Sequence, residues 1–186
     1  MGKIVLITGG SRSGKSSYAL GIGQSVPGPR TFIATCPMID DEIKVRIELH
    51  RRERLSGNWK TIEQQTDIAK TLETLKESAV ILVDCLTLWV NNIMYRAKTE
   101  SEDLSEAYME QRSNEVINMC RKLSGMTIFV TNEIGMGIVP EDKHTRLYRD
   151  LLGRCNQTIA AEADAVVLVM CGIATFIKGE LKDVIT

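Results

Sequence analysis

The stretch GGSRSGKS, residues 9–16, decides the fold of this chain. It has the pattern G-x-x-x-x-G-K-[ST], which carries meaning only between a strand and a helix. Upstream, the run Lys3–Thr8 is rich in Ile and Val and predicts a buried strand. Downstream, Ser16–Gln24 has a helical composition. The chain therefore offers the order of strand, glycine-rich loop and helix that the pattern requires.

A loop of this kind binds phosphate for direct physical reasons. Glycines let backbone N–H groups close around phosphate oxygens, because no Cβ blocks the approach. The helix that follows presents unpaired N–H groups and the positive end of its dipole to the same anion. We expect the Lys15 ammonium to reach the β- and γ-phosphates of a nucleoside triphosphate, and the Ser16 hydroxyl to bind Mg²⁺. The alternative is a Gly/Ser turn that matches by chance.

Length and composition narrow the class of protein. The 186 residues predict a single domain, residues 1–186, and the net charge of −1 gives no reason to expect a nucleic-acid partner. The sequence contains neither a signal-peptide pattern nor an apolar run of membrane-spanning length. Five scattered cysteines without a C-x-x-C pair indicate reduced thiols in the cytoplasm, and we interpret all of them as packing residues: Cys36, Cys85, Cys120, Cys155 and Cys171.

Apolar runs recur along the chain with longer polar, helix-like segments between them. This alternation predicts a mostly parallel sheet with helices on both faces, and the last two runs predict a C-terminal β-hairpin around Gly172. Such sheets bind ligands beyond the carboxyl ends of their strands, so the residues after each strand are the candidates for function. The predicted strands are Lys3–Thr8, Thr31–Cys36, Ala79–Asp84, Met126–Asn132, Ala165–Cys171 and Ala174–Lys178.

Three helices follow from apolar composition and helical spacing in the second half of the chain. Cys85–Tyr95 predicts a buried helix with Trp89 in the core, and Lys98–Asp103 predicts a loop. Leu104–Leu123 predicts an amphipathic helix, and a further helix is expected from about Lys143 to Ala163. In that last helix Gly153 predicts close packing or a bend, and three arginines are candidate phosphate-facing cations: Arg146, Arg149 and Arg154.

Two strand ends carry polar residues at the predicted ligand edge. Asp84 ends the run AVILVD, and beside a phosphate loop such an acid holds Mg²⁺ directly or through water. The alternative is a strand-end acid exposed to water. After the next strand, Asn132 and Glu133 enter a loop with two glycines and a closing proline, where they either bind substrate or orient water, or belong to a plain strand–helix connection.

A histidine lies in a strongly basic helical segment that runs from Asp40 to about Leu55. Arg46 and Arg54 flank His50 at i−4 and i+4, and these cations favour the neutral imidazole, whose lone pair can attack phosphorus. The alternative is an ordinary helix histidine beside a solvated basic face. The pattern leaves both interpretations open.

Taken together, these motifs resemble the bifunctional adenosylcobinamide kinase and adenosylcobinamide-phosphate guanylyltransferase family of cobalamin biosynthesis. The resemblance covers nearly the whole chain, and three of its segments are not generic to phosphate-loop proteins. The segments are ITGGSRSGKSSYA, FIATCPMIDDEIKVRIELHRRER, WKTIE, VDCLTLWVNNI, VTNEIGMGIVP and RDLLGRCNQTIAAEAD, of which the third, fourth and fifth are the specific ones.

The resemblance implies a RecA-like phosphate-loop fold and two reactions. A nucleoside triphosphate, GTP or ATP, phosphorylates the aminopropanol hydroxyl of adenosylcobinamide, and GTP then gives GMP to the product through a guanylylated histidine. By the resemblance, that histidine is His50, Mg²⁺ is held by Ser16 and Asp84, and the protein is a homo-oligomer, typically a trimer. The implied nucleotide-binding residues are Gly9, Gly10, Ser11, Arg12, Ser13, Gly14, Lys15, Ser16, Ala34, Thr35, Cys36, Arg51, Arg52, Glu53, Arg54, Glu63 and Asp84.

Two other functions remain as alternatives on the sequence. One is a phosphate-loop kinase of another small alcohol, with no guanylyl transfer. The other is a GTP-dependent regulatory protein, against which the chain lacks an N-K-x-D guanine motif and places its D-x-x-G match, residues 150–153, in a predicted helix.

Overall fold

The computed structural model describes residues 1–37, 57–100, 104–180, 182 and 184–185. The predicted helix with His50 and Arg51–Arg54 lies outside these residues. The described strands are β1 Lys3–Thr8, β2 Arg30–Ala34, β3 Trp59–Glu63, β4 Val80–Asp84, β5 Met126–Val130, β6 Ala165–Met170 and β7 Ile173–Lys178. The described helices are α1 Lys15–Ser25, α2 Ile68–Glu73, α3 Leu86–Glu100, α4 Glu106–Lys122 and α5 Lys143–Glu162.

The strands form one sheet in the order β3-β2-β4-β5-β1-β6-β7. Every neighbouring pair is parallel except β6 and β7, which pair antiparallel as a hairpin around Gly172. The predicted mostly parallel sheet with a C-terminal hairpin is confirmed. The register aligns Asp84 with Val130 and Val130 with Ile7, so β5 lies between the strand that ends in Asp84 and the strand that leads into the glycine-rich loop.

Alternation of side chains along each strand builds two apolar layers. In β1, Ile4 and Leu6 pack into the layer that includes α3, α4 and α5. Val5 and Ile7 point the other way, into the layer under α1. All four are essentially inaccessible to solvent. Helices therefore cover both faces, as a parallel sheet with continuous apolar strands requires.

Side chains at the helix starts and in the core explain how the helices are placed. Ser105 caps α4 by accepting a hydrogen bond from Tyr108 N, and Asp142 caps α5 by accepting one from Thr145 N at 2.7 Å. Trp89 of α3 is fully buried, as predicted, and its indole Nε1 donates to Thr66 O at 2.7 Å. A buried tryptophan with its N–H satisfied fixes α3 against the segment that follows β3.

Several sequence predictions are corrected by the structure. Strand β3 and helix α2 were not expected, and α3 continues to Glu100, through the first part of the predicted loop Lys98–Asp103. Gly153 has open space where a Cβ would lie, so the prediction of close packing there is wrong. Cys171 is exposed and therefore is not a packing residue, whereas Cys120 and Cys155 are buried as expected. Within the described part of the chain, no helix has the length and apolar character needed to cross a bilayer.

Candidate active site

The carboxyl ends of six parallel strands meet at one edge of the sheet, and the predicted site residues of the described chain collect there. The glycine-rich loop follows β1, Thr35 and Cys36 follow β2, and Asp84 ends β4. Ala34 is the last residue of β2 and is in register with both Asp84 and Glu63, so three neighbouring strands end level. His50 and the sequence Arg51, Arg52, Glu53 and Arg54 lie outside the described residues.

The glycine-rich loop turns tightly because two of its glycines adopt conformations that other residues rarely reach. Gly9 has φ 153°, and a Cβ there would lie 2.3 Å from the carbonyl oxygen of Val169 on β6. Gly14 has φ 93° and precedes the first residue of α1. These glycines bring the loop against β6 and then direct the chain into the helix, whose first N–H groups face the loop.

Backbone hydrogen bonds brace this loop from both sides. Glu133 N, beyond β5, donates to Gly9 O at 3.3 Å. Gly172 N, in the β6–β7 turn, donates to Ser13 O at 2.9 Å. The loop is thus held by the segments that follow its two neighbouring strands, which limits the entropy lost when an anion binds.

Lys15 and Ser16 start α1 directly under the loop. Lys15 is buried, and its Nζ donates to Gly10 O at 2.9 Å, so the ammonium lies against the loop backbone. Ser16 is half-buried in the first turn of the helix. A cation and a hydroxyl at a helix N-terminus are the groups that a triphosphate and its counter-ion need.

Thr35 joins the ends of β2 and β4. Its Oγ1 donates to Cys85 O at 2.8 Å and accepts from Cys85 N at 2.7 Å, while Thr35 N donates to Asp84 O at 3.2 Å. Asn92 of α3 completes the junction by donating from Nδ2 to Thr35 O at 2.8 Å. The backbone that carries the Asp84 carboxylate is therefore fixed on both sides of the residue.

The thiol of Cys85 lies between the charges of this edge. Burial and, after it, the Asp84 carboxylate raise the pKa of Cys85 to about 12, whereas the Lys15 ammonium opposes the shift. Both charges therefore lie within electrostatic range of the same thiol. At neutral pH Cys85 is protonated, so its thiol is a poor nucleophile here.

A loop with exposed apolar side chains follows β5 at the same edge. Met136 is 88% exposed and Ile138 is 96% exposed, which is unusual for side chains of this size. The loop is anchored at its start by the hydrogen bond from Glu133 N to Gly9 O and at its end by Arg146, which donates to Pro140 O at 2.9 Å. The apolar side chains thus project beside the glycine-rich loop from a backbone held at both ends.

The arginines predicted to face phosphate are engaged elsewhere. Arg154 donates from Nη2 to Glu106 Oε2 at 2.7 Å and so joins α5 to the start of α4. Arg146 binds backbone carbonyls at the end of the apolar loop, and Arg149 pairs with the neighbouring Asp150 at 3.8 Å. These contacts correct the prediction for Arg146 and Arg154, whose guanidinium groups hold the fold.

Sequence reasoning missed the residues that position the site through long-range contacts. Gly172 braces the loop and Thr87 holds Asn132 N at 3.0 Å, and neither contact has a local sequence signal. Asn132 lies beside Gly9, one strand over from the loop, and its Oδ1 is buried. Among the described residues, the buried oxygens Thr8 Oγ1, Ser13 Oγ and Asn132 Oδ1 have no hydrogen-bond partner, and all three surround this loop.

The donor set at this edge fits Mg²⁺ bound together with phosphate. Ser16 supplies a hydroxyl and Asp84 a carboxylate, both oxygen donors and both half-buried. Magnesium bound with a nucleotide takes only one or two protein carboxylates, and phosphate oxygens and water complete its shell. The described residues contain no cluster of three or more His, Cys, Asp or Glu that would form an all-protein metal cage.

Comparison with solved structures supports the fold assignment. The structure resembles the RadB recombinase with a TM-score of 0.50 and 17% identity, over 89% of this chain and 73% of that one. It resembles a KaiC-like protein from Pyrococcus horikoshii with a TM-score of 0.52 and 14% identity, over 89% and 71% of the two chains. At these identities the likeness concerns the fold, a RecA-like phosphate-loop sheet.

Comparison with known sequences identifies the family. The bifunctional adenosylcobalamin biosynthesis protein CobU of Escherichia coli is 38% identical over 94% of this chain and 99% of its own length. CobU of Salmonella typhimurium is 37% identical over the same shares, and CobP of Pseudomonas aeruginosa is 35% identical over 94% and 97%. A family model described as cobinamide kinase / cobinamide phosphate guanyltransferase matches residues 5–177. With matches of this extent and a phosphate-binding loop braced at the ligand edge of the sheet, the chain belongs to the cobinamide kinase / cobinamide phosphate guanyltransferase family.

Proposed function

We propose that this protein phosphorylates the aminopropanol hydroxyl of adenosylcobinamide and then transfers GMP from GTP to the cobinamide phosphate, giving adenosylcobinamide-GDP. The observation that carries the proposal is the family match over residues 5–177, which includes the phosphate loop, Asp84 and His50. It favours this function over a kinase of another small alcohol and over a GTP-dependent regulatory protein.

In the first reaction the loop residues Gly9–Ser16 hold the triphosphate of GTP or ATP through backbone N–H groups, and Lys15 binds the β- and γ-phosphates. The support is geometric, because the loop is braced by Glu133 and Gly172 and its lysine already lies against it. Such preorganisation aligns the terminal phosphorus for in-line transfer. We place Ala34, Thr35, Cys36 and Glu63 at the same nucleotide because they end or follow the adjoining strands.

Mg²⁺ is the cofactor that we propose for both reactions, held by the Ser16 hydroxyl and the Asp84 carboxylate. When bound, it neutralises charge on the phosphate oxygens. The protein's part is to fix the two donors. Ser16 is set by the first turn of α1, and Asp84 is set by the hydrogen bonds that Thr35 makes around it.

In the second reaction His50 is the proposed nucleophile. Its imidazole attacks the α-phosphorus of GTP, pyrophosphate leaves, and the cobinamide phosphate then displaces the histidine to form the product. Covalent catalysis of this kind divides a difficult transfer into two displacements. The cations Arg51, Arg52 and Arg54 adjoin His50 in the sequence and supply charge for the α-phosphate, with Glu53 between them.

The acceptor substrate is far larger than a nucleotide and needs a surface beside the phosphate loop. We place it against the apolar loop 134–139, whose start lies next to Gly9 and whose Met136 and Ile138 face solvent. Apolar contact with a macrocycle removes these side chains from water, which is the favourable direction for exposed Met and Ile.

We further propose that the protein is one domain, acts in the cytoplasm and forms a homo-oligomer, a trimer by its resemblance to the family. Exposed apolar residues on the β6–β7 hairpin, Met170, Ile173 and Ile177, offer the kind of surface that subunits bury. Sedimentation equilibrium of the purified chain tests the oligomeric state, and a monomer at micromolar concentration would contradict it.

The decisive experiment measures the mass of the intact protein after incubation with GTP and Mg²⁺. Wild type gains one GMP, and the adduct is labile in acid and stable in base, as a phosphoramidate is. The His50→Ala variant gains no GMP yet still phosphorylates cobinamide. If His50→Ala still gains GMP and transfers it as wild type does, His50 has no part in the mechanism.

A further inference from the structure

We propose that the Arg12 guanidinium binds the phosphoryl group while it moves from the nucleotide to the acceptor hydroxyl, as a catalytic residue of the kinase reaction. This inference rests on the kinase activity proposed above and assigns a separate role to one side chain of the loop. It starts from the backbone. Arg12 has φ 57°, in the left-handed region, and it stands within the phosphate loop between Gly9 and Gly14.

The conformation of Arg12 is one that glycine adopts without cost. For a residue with a Cβ the left-handed conformation is unfavourable, and such outliers persist where the residue serves a function. The neighbouring loop positions with positive φ, Gly9 and Gly14, are both glycine. The side chain at position 12 is therefore kept despite the backbone that it has to adopt.

Contacts within the described chain do not account for keeping this side chain. Arg12 is exposed, whereas Ser13 and Lys15, which follow it in the loop and in the first turn of α1, are buried. No hydrogen bond or ion pair of Arg12 occurs among the described residues. The described residues therefore neither pack against nor pair with the guanidinium, which is exposed in the loop three residues before Lys15.

The chemistry of phosphoryl transfer has a use for this cation. The acceptor hydroxyl oxygen forms a bond to the γ-phosphorus as the bond to the β,γ-bridging oxygen breaks. The electron pair leaves with the nucleoside diphosphate, and the hydroxyl proton passes to solvent. Charge is carried by the three equatorial oxygens, which a planar guanidinium binds with two parallel N–H groups, whereas Lys15 acts as a point charge.

The test is the Arg12→Gly variant, because glycine accepts φ 57° and so removes only the side chain. Arg12→Lys keeps the charge without the paired donors. Asn58→Gly is the matched control, since Asn58 also has positive φ, 51°, and is exposed in the turn before β3, at the opposite edge of the sheet. The measurements on the full chain are kcat and KM for cobinamide phosphorylation, Kd for GTP, and the melting temperature.

We expect Arg12→Gly to lower kcat at least about 100-fold, the usual loss when one transition-state donor is removed. Its Kd for GTP should stay within about threefold of wild type, and its melting temperature should equal or exceed that of wild type. The kcat of Arg12→Lys should lie between those of wild type and Arg12→Gly. Asn58→Gly should keep the full activity of wild type. A kcat for Arg12→Gly equal to that of wild type would overturn the proposal, as would a loss of activity explained entirely by weaker GTP binding.

Failure of the proposed function has a different signature. In that case the wild-type protein itself transfers no phosphoryl group to cobinamide. The same proteins then report on Arg12 through hydrolysis of the γ-phosphate by water. At least a tenfold lower hydrolysis rate in Arg12→Gly supports the role of the guanidinium, and equal rates overturn it.

Discussion

Lys15 shows how one side chain couples the fold to nucleotide binding. Its ammonium is buried at the start of α1 and donates to Gly10 O at 2.9 Å. We predict that Lys15→Ala weakens GTP binding about 10- to 100-fold and impairs both reactions, because a hydrogen bond to a charged group contributes roughly 1.5–3 kcal/mol. Fluorescence titration with a labelled nucleotide measures the change.

Lys76→Ala is the matched control for Lys15, since Lys76 is an exposed lysine in the turn after α2. This variant should bind GTP as wild type does. Undiminished binding by Lys15→Ala, with its helical content intact by circular dichroism, would contradict the assignment of the phosphate site.

Thr35 makes a different contribution, because it stabilises the backbone on which Asp84 is carried. The hydroxyl is fully buried and both donates to and accepts from the backbone of Cys85. We predict that the near-isosteric Thr35→Val costs about 2 kcal/mol of unfolding free energy, because the buried Cys85 N–H is left unpaired, while Cys85 O keeps its hydrogen bond from Trp89 N. Urea denaturation measures it. Thr35→Ser keeps the hydroxyl and should lose much less, and a Thr35→Val variant as stable as wild type would show that the hydrogen bonds of the hydroxyl contribute nothing.

At the scale of elements, strands buried on both faces could be predicted, and the edge strand β3 could not. β1, β4, β5 and β6 are continuous apolar runs, which is the signal of such strands. β3 lies at the sheet edge and exposes Lys60, Thr61 and Glu63, so its composition resembles that of a loop. α2 has six residues, too few to show a helical period.

The same distinction holds for the candidate site, where locally defined residues could be predicted and long-range contacts could not. The phosphate loop and Asp84 are predictable because each is defined by a few consecutive residues at a strand end. The contacts that hold them join residues far apart in the chain, such as Thr35 with Cys85 and Ser13 with Gly172. Pairings of that kind follow from strand order, and a single sequence does not encode them in any local pattern.

The exposed apolar side chains of the loop 134–139 are predicted to contribute to binding of the acceptor substrate. If the loop contacts the corrinoid, the double variant Met136→Ser/Ile138→Ser should raise KM for cobinamide about tenfold, because fully burying one such side chain contributes about 1.5–3 kcal/mol and contact with a ligand gives part of that. Its Kd for GTP should not change. Tyr95→Ser is the control, since Tyr95 is 72% exposed and lies more than two turns along α3 from the site edge. An unchanged KM for cobinamide in the double variant would exclude the loop from the acceptor site.

At the scale of the whole molecule, the carboxyl and amino ends of the strands have different roles. The carboxyl edge carries the loops of the candidate site, and an ionic cluster closes the amino edge. There Asp164 accepts from Ile4 N at 2.7 Å and from Arg121 Nη1 at 2.6 Å, and Arg121 also donates to Gly2 O and Glu162 O. The cluster joins the start of β1 to the ends of α4 and α5, and so it fixes the strand that leads into the phosphate loop.

Because of this ionic cluster, the free energy of unfolding depends on pH in the acid range. Burial by itself raises the pKa of Asp164, but the hydrogen bonds from Ile4 and Arg121 and the nearby charges of Arg121 and Lys3 outweigh it, and the pKa falls below its usual 3.8. A carboxyl with a lowered folded-state pKa stabilises the fold fully above its unfolded value. The contribution is lost as the pH falls from about 3.8 through the folded value, because folding then no longer favours the ionised form.

We therefore predict that Asp164→Asn lowers the unfolding free energy by about 2 kcal/mol at pH 7, where the variant loses charge-assisted hydrogen bonds. The difference between wild type and variant should shrink as the pH is lowered below 3.8, since wild type then loses the same interactions by protonation. Urea unfolding at a series of pH values from 7 to 2.5 measures both curves. Parallel curves over the whole range would show that ionised Asp164 contributes no more than the protonated form, and that backbone pairings such as Asp164 N with Ile4 O hold this end of the sheet.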